Sequence, residues 1–112
     1  MLKVYFAFEG PTGNVLNYFG NSEKAIQGLA VTRTAPGQYT CVFLTENIIL
    51  GLQPVVQVSS SGLSGSAGIN NVISSAALFM PTGVFNYQVT LNIETYGGAP
   101  DPAIMMVAYT VN

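Results

Sequence analysis

The chain lacks most of the side chains from which active sites are built. Its 112 residues contain no His and no Trp, one Cys, three Lys or Arg and five Asp or Glu. Without His the commonest general base is missing, so no Ser-His-Asp or Cys-His arrangement can form. The carboxylates do not follow metal-ligand spacing, and a two-carboxylate glycosidase stays a formal alternative only. We therefore predict that the chain is not an enzyme and uses no metal or other cofactor.

Charge is scarce as well. Charged residues make up 7% of the chain, whereas an ordinary soluble domain has about a quarter. The three cations are scattered, and a phosphate backbone requires clustered Lys and Arg, so nucleic acid is not expected as a partner. Because charge keeps proteins apart in solution, a chain with so little of it is expected to cover part of its surface with copies of itself.

Membrane spans and disulfides are not expected either. The longest apolar runs, 48–52 and 76–80, have the length of strands, far below the ~18 residues of a spanning helix. At the amino end, Glu9, Gly10 and Pro11 follow too early for a signal peptide. Cys41 has no second cysteine with which to pair, which favours synthesis in a reducing cytoplasm. We interpret it as a small buried apolar residue rather than a reactive thiol.

Strand patterns fill the rest of the chain. Residues 85–94 alternate between apolar and polar, which is typical of a strand with one buried face. In segments 38–44 and 104–111 the residues on both faces of the predicted strand are mostly apolar. This pattern predicts that a second chain covers the outer face of these strands. Further strands are predicted at 2–8, 15–19, 29–34, 55–59 and 72–80. About eight short strands separated by Gly/Pro turns predict one all-β domain over residues 1–112, an antiparallel two-sheet sandwich that is jelly-roll-like.

Two local features have more than one interpretation. The Ser/Gly run at 59–68 is predicted to be a long surface loop, either a partner-contact site or a loop with no specific role. Its candidate contact residues are Ser60, Ser61, Gly62, Leu63, Ser64, Gly65 and Ser66. Arg33, the only arginine, has two interpretations. It either binds a carboxylate through two hydrogen bonds, for example a carboxylate of a neighbouring subunit, or it places a charge on an exposed edge strand that prevents pairing with another chain.

Three segments, taken in order, resemble a known family. They are Val4-Tyr5-Phe6-Ala7-Phe8-Glu9-Gly10, Val31-Thr32-Arg33-Thr34-Ala35-Pro36-Gly37-Gln38-Tyr39-Thr40-Cys41-Val42-Phe43, and the stretch from Val89 to Ala103. Together they resemble the small β-domain that closes many tailed-phage fibre proteins. The residues that match the turn-shaping motif of that family are Gly37, Tyr39, Gly97, Gly98, Asp101 and Pro102. The resemblance implies a homotrimeric β-sandwich knob on a virion, with no catalytic residues.

The chain departs from the family in one respect. Fibre tips follow a long shaft, whereas this chain starts at its own Met1 without one, so we expect it to attach through its own surface. We predict a bacteriophage virion structural protein, made in the host cytoplasm and located on the virion surface. The expected role is that of a capsid decoration (cement) protein, whose partners are itself and the major capsid protein or another virion protein. The alternative is a receptor-binding tail-fibre tip or adaptor that recognises a host cell-surface glycan. The expected trimer-interface residues are Met105, Val107, Tyr109, Val42 and Leu44.

Overall fold

The described part of the chain contains eight strands. The structure, a computed structural model, describes residues 2–19, 25–46, 54–61, 84–95 and 101–111, together with the backbone of 69–78. The strands are β1 (Leu2–Glu9), β2 (Val15–Phe19), β3 (Ile26–Ala35), β4 (Gln38–Thr45), β5 (Val55–Ser61), β6 (Ile69–Leu78), β7 (Tyr87–Thr95) and β8 (Ile104–Val111).

The strands form two four-stranded sheets. Sheet I has the order β2-β1-β8-β5, and sheet II has the order β3-β4-β7-β6. Every pair of neighbouring strands is antiparallel. The predicted all-β architecture of two antiparallel sheets is therefore confirmed. Three neighbouring pairs, β1-β2, β3-β4 and β6-β7, are consecutive in the chain and stay within one sheet.

The core lies between the two sheets and is built from alternate residues of four central strands. Sheet I contributes Val4, Phe6, Phe8, Met105, Val107, Tyr109 and Val111, and sheet II contributes Tyr39, Cys41, Phe43, Val89, Leu91 and Ile93. Two edge-to-face aromatic pairs join the sheets: Phe8 with Tyr39 at 5.2 Å, and Phe43 with Tyr109 at 5.5 Å between ring centroids. Cys41 is buried among these side chains, as the sequence predicts.

Three residues of the expected trimer interface lie on the inward face of β8. Met105, Val107 and Tyr109 are at most 1% exposed within a single chain, so they belong to the chain's own core and offer no surface to a second copy. The outward residues of β8 are Ile104, Met106, Ala108 and Thr110. Alternation separates the two faces of a strand but does not say which one turns inward when both are apolar. Val42 and Leu44 point outward from sheet II and are half-buried.

Strand β3 contains a bulge at the edge of sheet II. Its pairing with β4 passes from Gln27↔Leu44 to Ala30↔Val42, so Gly28 and Leu29 together oppose a single residue of β4. Gly28 has a φ of 69°, in the left-handed region that glycine adopts without strain. This is the arrangement of a glycine-containing β-bulge, which bends the edge strand.

Candidate functional site

The side chain of Asp101 gathers three residues of the β3–β4 hairpin at one end of the sandwich. Arg33 Nε donates to Asp101 Oδ2 at 2.9 Å, and Arg33 Nη2 lies 2.7 Å from the same oxygen. The backbone N–H of Gly37 and the hydroxyl of Tyr39 both donate to Oδ1 at 2.8 Å. We call these four residues the Asp101 cluster. It joins the hairpin of sheet II to the segment that leads into β8 of sheet I.

Local sequence explains how the hairpin supplies these donors. Arg33 and Tyr39 are directly opposite in the β3–β4 register, so their side chains lie on the same face. Pro36 and Gly37 close the hairpin, and the φ of 74° at Gly37 fits the third position of a type II turn that follows proline. The carbonyl of Gly37 accepts from Thr95 N at 2.8 Å, so the turn is held on both sides of Gly37.

The end of β1 packs closely against the same segment. Gly10 N donates to the carbonyl of Ala103 at 3.2 Å. A Cβ atom at Gly10 would overlap the carbonyl oxygen of Pro102 and would lie 3.2 Å from the hydroxyl of Tyr39. Because Gly10 has no positive φ, glycine is required there for space and not for backbone conformation. Four chain segments therefore meet at the Asp101 cluster.

The charges of the cluster stabilise one another. Burial raises the pKa of Asp101, but the hydrogen bonds from Arg33, Gly37 and Tyr39 outweigh it, and the pKa is lowered below the ordinary value for aspartate. Burial, followed by the bond to Asp101, raises the pKa of Tyr39. Each carboxylate oxygen accepts two donors, which uses the accepting capacity of Asp101. The cluster thus acts as a clasp between segments and does not offer a free acid or base.

The family resemblance gives Gly37, Tyr39 and Asp101 turn-shaping roles, and it does not predict that they meet Arg33 in one cluster. Gly37, Tyr39, Asp101 and Pro102 lie at this end of the molecule, while Gly97 and Gly98 lie outside the described residues. The carboxylate that Arg33 clamps belongs to its own chain, 68 positions away. A usable signal existed, because Arg33 and Asp101 are the only arginine and the only aspartate in the sequence and both lie in the segments that carry the family resemblance.

The Ser/Gly run is partly strand. Ser60 and Ser61 are the last residues of β5, where they pair with Met105 and Ile104 of β8. The strand therefore runs two residues further than the predicted 55–59. The remaining candidate contact residues of the run, from Gly62 to Ser66, lie outside the described residues.

The outer face of sheet I exposes large apolar side chains among polar ones. Phe19, Val55, Ile104 and Met106 are between 38% and 54% exposed. Tyr5 stacks on Phe19 with 6.1 Å between ring centroids and 13° between ring planes. A shallow groove of about 530 Å³ crosses this face, and its outward lining residues are Phe19, Gln57, Ser59, Met106 and Ala108.

The outer face of sheet II is polar but carries little charge. Thr40 Oγ1 donates to Asn92 Oδ1 at 3.0 Å across β4 and β7. These two residues, with Thr34, Gln38 and Glu94, line a small groove of about 160 Å³. The face thus presents hydroxyl, amide and carboxylate groups side by side.

The described part of the chain holds no exposed cysteine, no cluster of metal ligands and no membrane-spanning helix. Burial raises the pKa of the Cys41 thiol to about 12, so it stays protonated at neutral pH. No three His, Cys, Asp or Glu residues in the described ranges lie close enough together to hold a metal ion. Within those same ranges there is no helix with the length and apolar character to cross a membrane.

The fold and these surfaces define a class: an all-β protein of two antiparallel sheets, clasped at one end by a partly buried carboxylate cluster. Comparison with known protein families, with curated proteins and with solved structures finds no match for the chain.

Proposed function

We propose that this chain is a bacteriophage virion structural protein, a homotrimeric, jelly-roll-like knob on the particle surface. Its role is that of a capsid decoration protein, which binds the major capsid protein or another virion protein and stabilises the head. One observation supports the proposal most directly. The outer face of sheet I exposes Phe19, Met106 and Ile104 in a chain whose charged residues are only 7% of the total. An exposed apolar patch of this kind marks a surface for protein association.

The mechanism of such a protein is mechanical. Covering apolar surface is favourable, and covering uncharged polar groups costs less hydration energy than covering charged groups. The Asp101 cluster fastens one end of the sandwich, so the knob can transmit force between neighbours without opening there. Eight strands in two sheets also equal the strand count of a jelly roll.

Because the inward face of β8 is buried within one chain, a trimer contact cannot form there. With Met105, Val107 and Tyr109 in the core, the remaining expected interface residues are Val42 and Leu44 on the outer face of sheet II. We therefore expect the threefold contact of the proposed knob on the outer face of sheet II, and not on the inward side of β8.

Binding to capsids tests this function. Purified protein would be added to heads of the source phage that were assembled without it, and binding would be measured by co-sedimentation. We expect saturable binding and a higher temperature of head disruption. The control is bovine serum albumin at the same concentration. Lack of binding to these heads would contradict the decoration role.

A second candidate function is a receptor-binding fibre tip or adaptor. The groove on sheet II favours it, because Gln38, Asn92 and Glu94 offer the donors and acceptors that bind sugar hydroxyls. Under this alternative, purified protein binds members of a glycan array and blocks adsorption of the phage to its host. Asn92→Ala is expected to reduce both effects, and Gln57→Ala on the opposite sheet serves as the matched control.

A further inference from the structure

We infer that the outer face of sheet I binds a second copy of this chain about a two-fold axis that runs perpendicular to the strands. The inference goes beyond the proposed function, since it names one face and one symmetry and needs no capsid. It rests on two properties of the face, the position of its charges and the position of a long exposed side chain relative to a short one.

Strand register defines which residues point outward. Outward positions of β1 pair with outward positions of β8: Lys3 with Thr110, Tyr5 with Ala108, Ala7 with Met106 and Glu9 with Ile104. The neighbouring strands add Asn17 and Phe19 from β2 and Val55, Gln57, Ser59 and Ser61 from β5. In this described part of sheet I, Lys3 and Glu9 are the only charged outward residues.

The two charges lie symmetrically about the middle of β1. Lys3 and Glu9 are each three positions from Phe6, which pairs with Val107 of β8. A two-fold axis at the level of the Phe6–Val107 pair reverses the strand direction of the second copy and stacks β1 on β1. It therefore brings Lys3 of each copy opposite Glu9 of the other, so the face is complementary to itself in charge.

The shape of the face has the same symmetry. Met106 is 47% exposed, and it lines the groove of about 530 Å³ together with the shorter Ala108. These two residues lie one position before and one position after Val107 on β8. The axis that pairs the charges therefore also places Met106 of each copy over Ala108 of the other. A long side chain therefore meets a short one at both symmetry-related positions.

The size of the face sets the strength of the contact. The four strands have 8, 5, 7 and 8 residues, and at ~3.3 Å per residue and about 4.8 Å between strands they cover roughly 440 Å² per copy. This lies at the low end of specific interfaces, so the association is expected to depend on concentration. Two stacked sheets are about 10 Å apart, a distance that the Lys3 and Glu9 side chains bridge together.

Charge reversal tests the axis directly. Lys3→Glu alone creates two Glu–Glu contacts across the axis, and Glu9→Lys alone creates two Lys–Lys contacts. Mixing the two variants restores two opposite-charge contacts in a heterodimer. We expect each variant alone to dimerise at least ~10-fold more weakly than wild type and the equal mixture to regain wild-type affinity. Sedimentation velocity over a concentration series measures this, and Glu94→Lys on sheet II is the matched control.

Folding of each variant is checked by circular dichroism, and Met106→Ser provides a second test without a change of charge. It is expected to weaken the dimer as well. A wild-type chain that stays monomeric at every concentration would overturn the inference, and so would charge-reversal variants that are not rescued by mixing. A trimer that none of these variants disturbs would overturn the two-fold contact while leaving the proposed knob intact.

Discussion

The backbone N–H of Gly37 donates to Asp101 Oδ1 at 2.8 Å, although the two residues are 64 positions apart in the chain. Gly37 closes a hairpin of sheet II, and Asp101 precedes the central strand β8 of sheet I. The bond therefore crosses between the sheets at one end of the core. Hydrogen bonds from Arg33 and Tyr39 to the same carboxylate make this end a polar clasp beside the hydrophobic core cluster.

Removing the carboxylate should destabilise the fold. Asp101→Ala leaves the N–H of Gly37 and the hydroxyl of Tyr39 without their acceptor and Arg33 without its ion partner. We expect the free energy of unfolding to fall by about 2–3 kcal/mol, measured by urea denaturation with circular dichroism. Glu94→Ala on the outer face of sheet II is the control and is expected to change it by less than about 0.5 kcal/mol. Equal effects of the two substitutions would contradict the clasp.

The clasp should also make stability depend on pH. The pKa of Asp101 is lowered in the folded state, so the unfolded chain binds the proton first as pH falls. The contribution of Asp101 is therefore fully present above its unfolded pKa of about 3.9 and is lost as pH falls through the folded pKa. We expect wild type to lose stability below about pH 4, and Asp101→Asn to show a shallower decline in the same urea titrations. Parallel pH profiles would contradict the assignment.

Two glycines should respond differently to alanine. At Gly10 a Cβ overlaps the carbonyl of Pro102, whereas at Gly28 it meets no atom within 4 Å but carries a φ of 69°. We expect Gly10→Ala to lower the free energy of unfolding by about 3 kcal/mol through overpacking. Gly28→Ala should lower it by about 1–2 kcal/mol through backbone strain alone. Thermal melts of the two variants compare them, and a milder Gly10→Ala would argue against the close packing of β1 on Pro102.

The two opposite faces of β8 should differ in how much stability a charged substitution costs. Tyr109 is 1% exposed, so Tyr109→Asp places an unpaired carboxylate in the core and is expected to unfold the chain. Met106 points outward, and Met106→Asp should keep the wild-type circular dichroism spectrum and lose at most about 1 kcal/mol. A soluble, folded Tyr109→Asp variant would show that the faces of β8 have been assigned the wrong way round.

The outcome for individual strands shows what sequence pattern can predict. In β7, Val89, Leu91 and Ile93 alternate with polar residues, so both the strand and its inward face follow from the sequence. In β8 the pattern predicts the strand equally well, but apolar residues occupy both faces. The inward face was therefore not predictable, and the trimer-interface residues expected on β8 turned out to be core.

By itself the sequence determined the local features of this protein: where strands run, and where Pro36 and Gly37 turn the chain. These depend on side-chain alternation with period two and on the allowed φ of proline and glycine, which act within a few residues. Only the tertiary structure decided which face of β8 is buried and that Arg33 meets Asp101. Both depend on the order of strands in the two sheets, which joins segments more than sixty positions apart through contacts that no local pattern encodes.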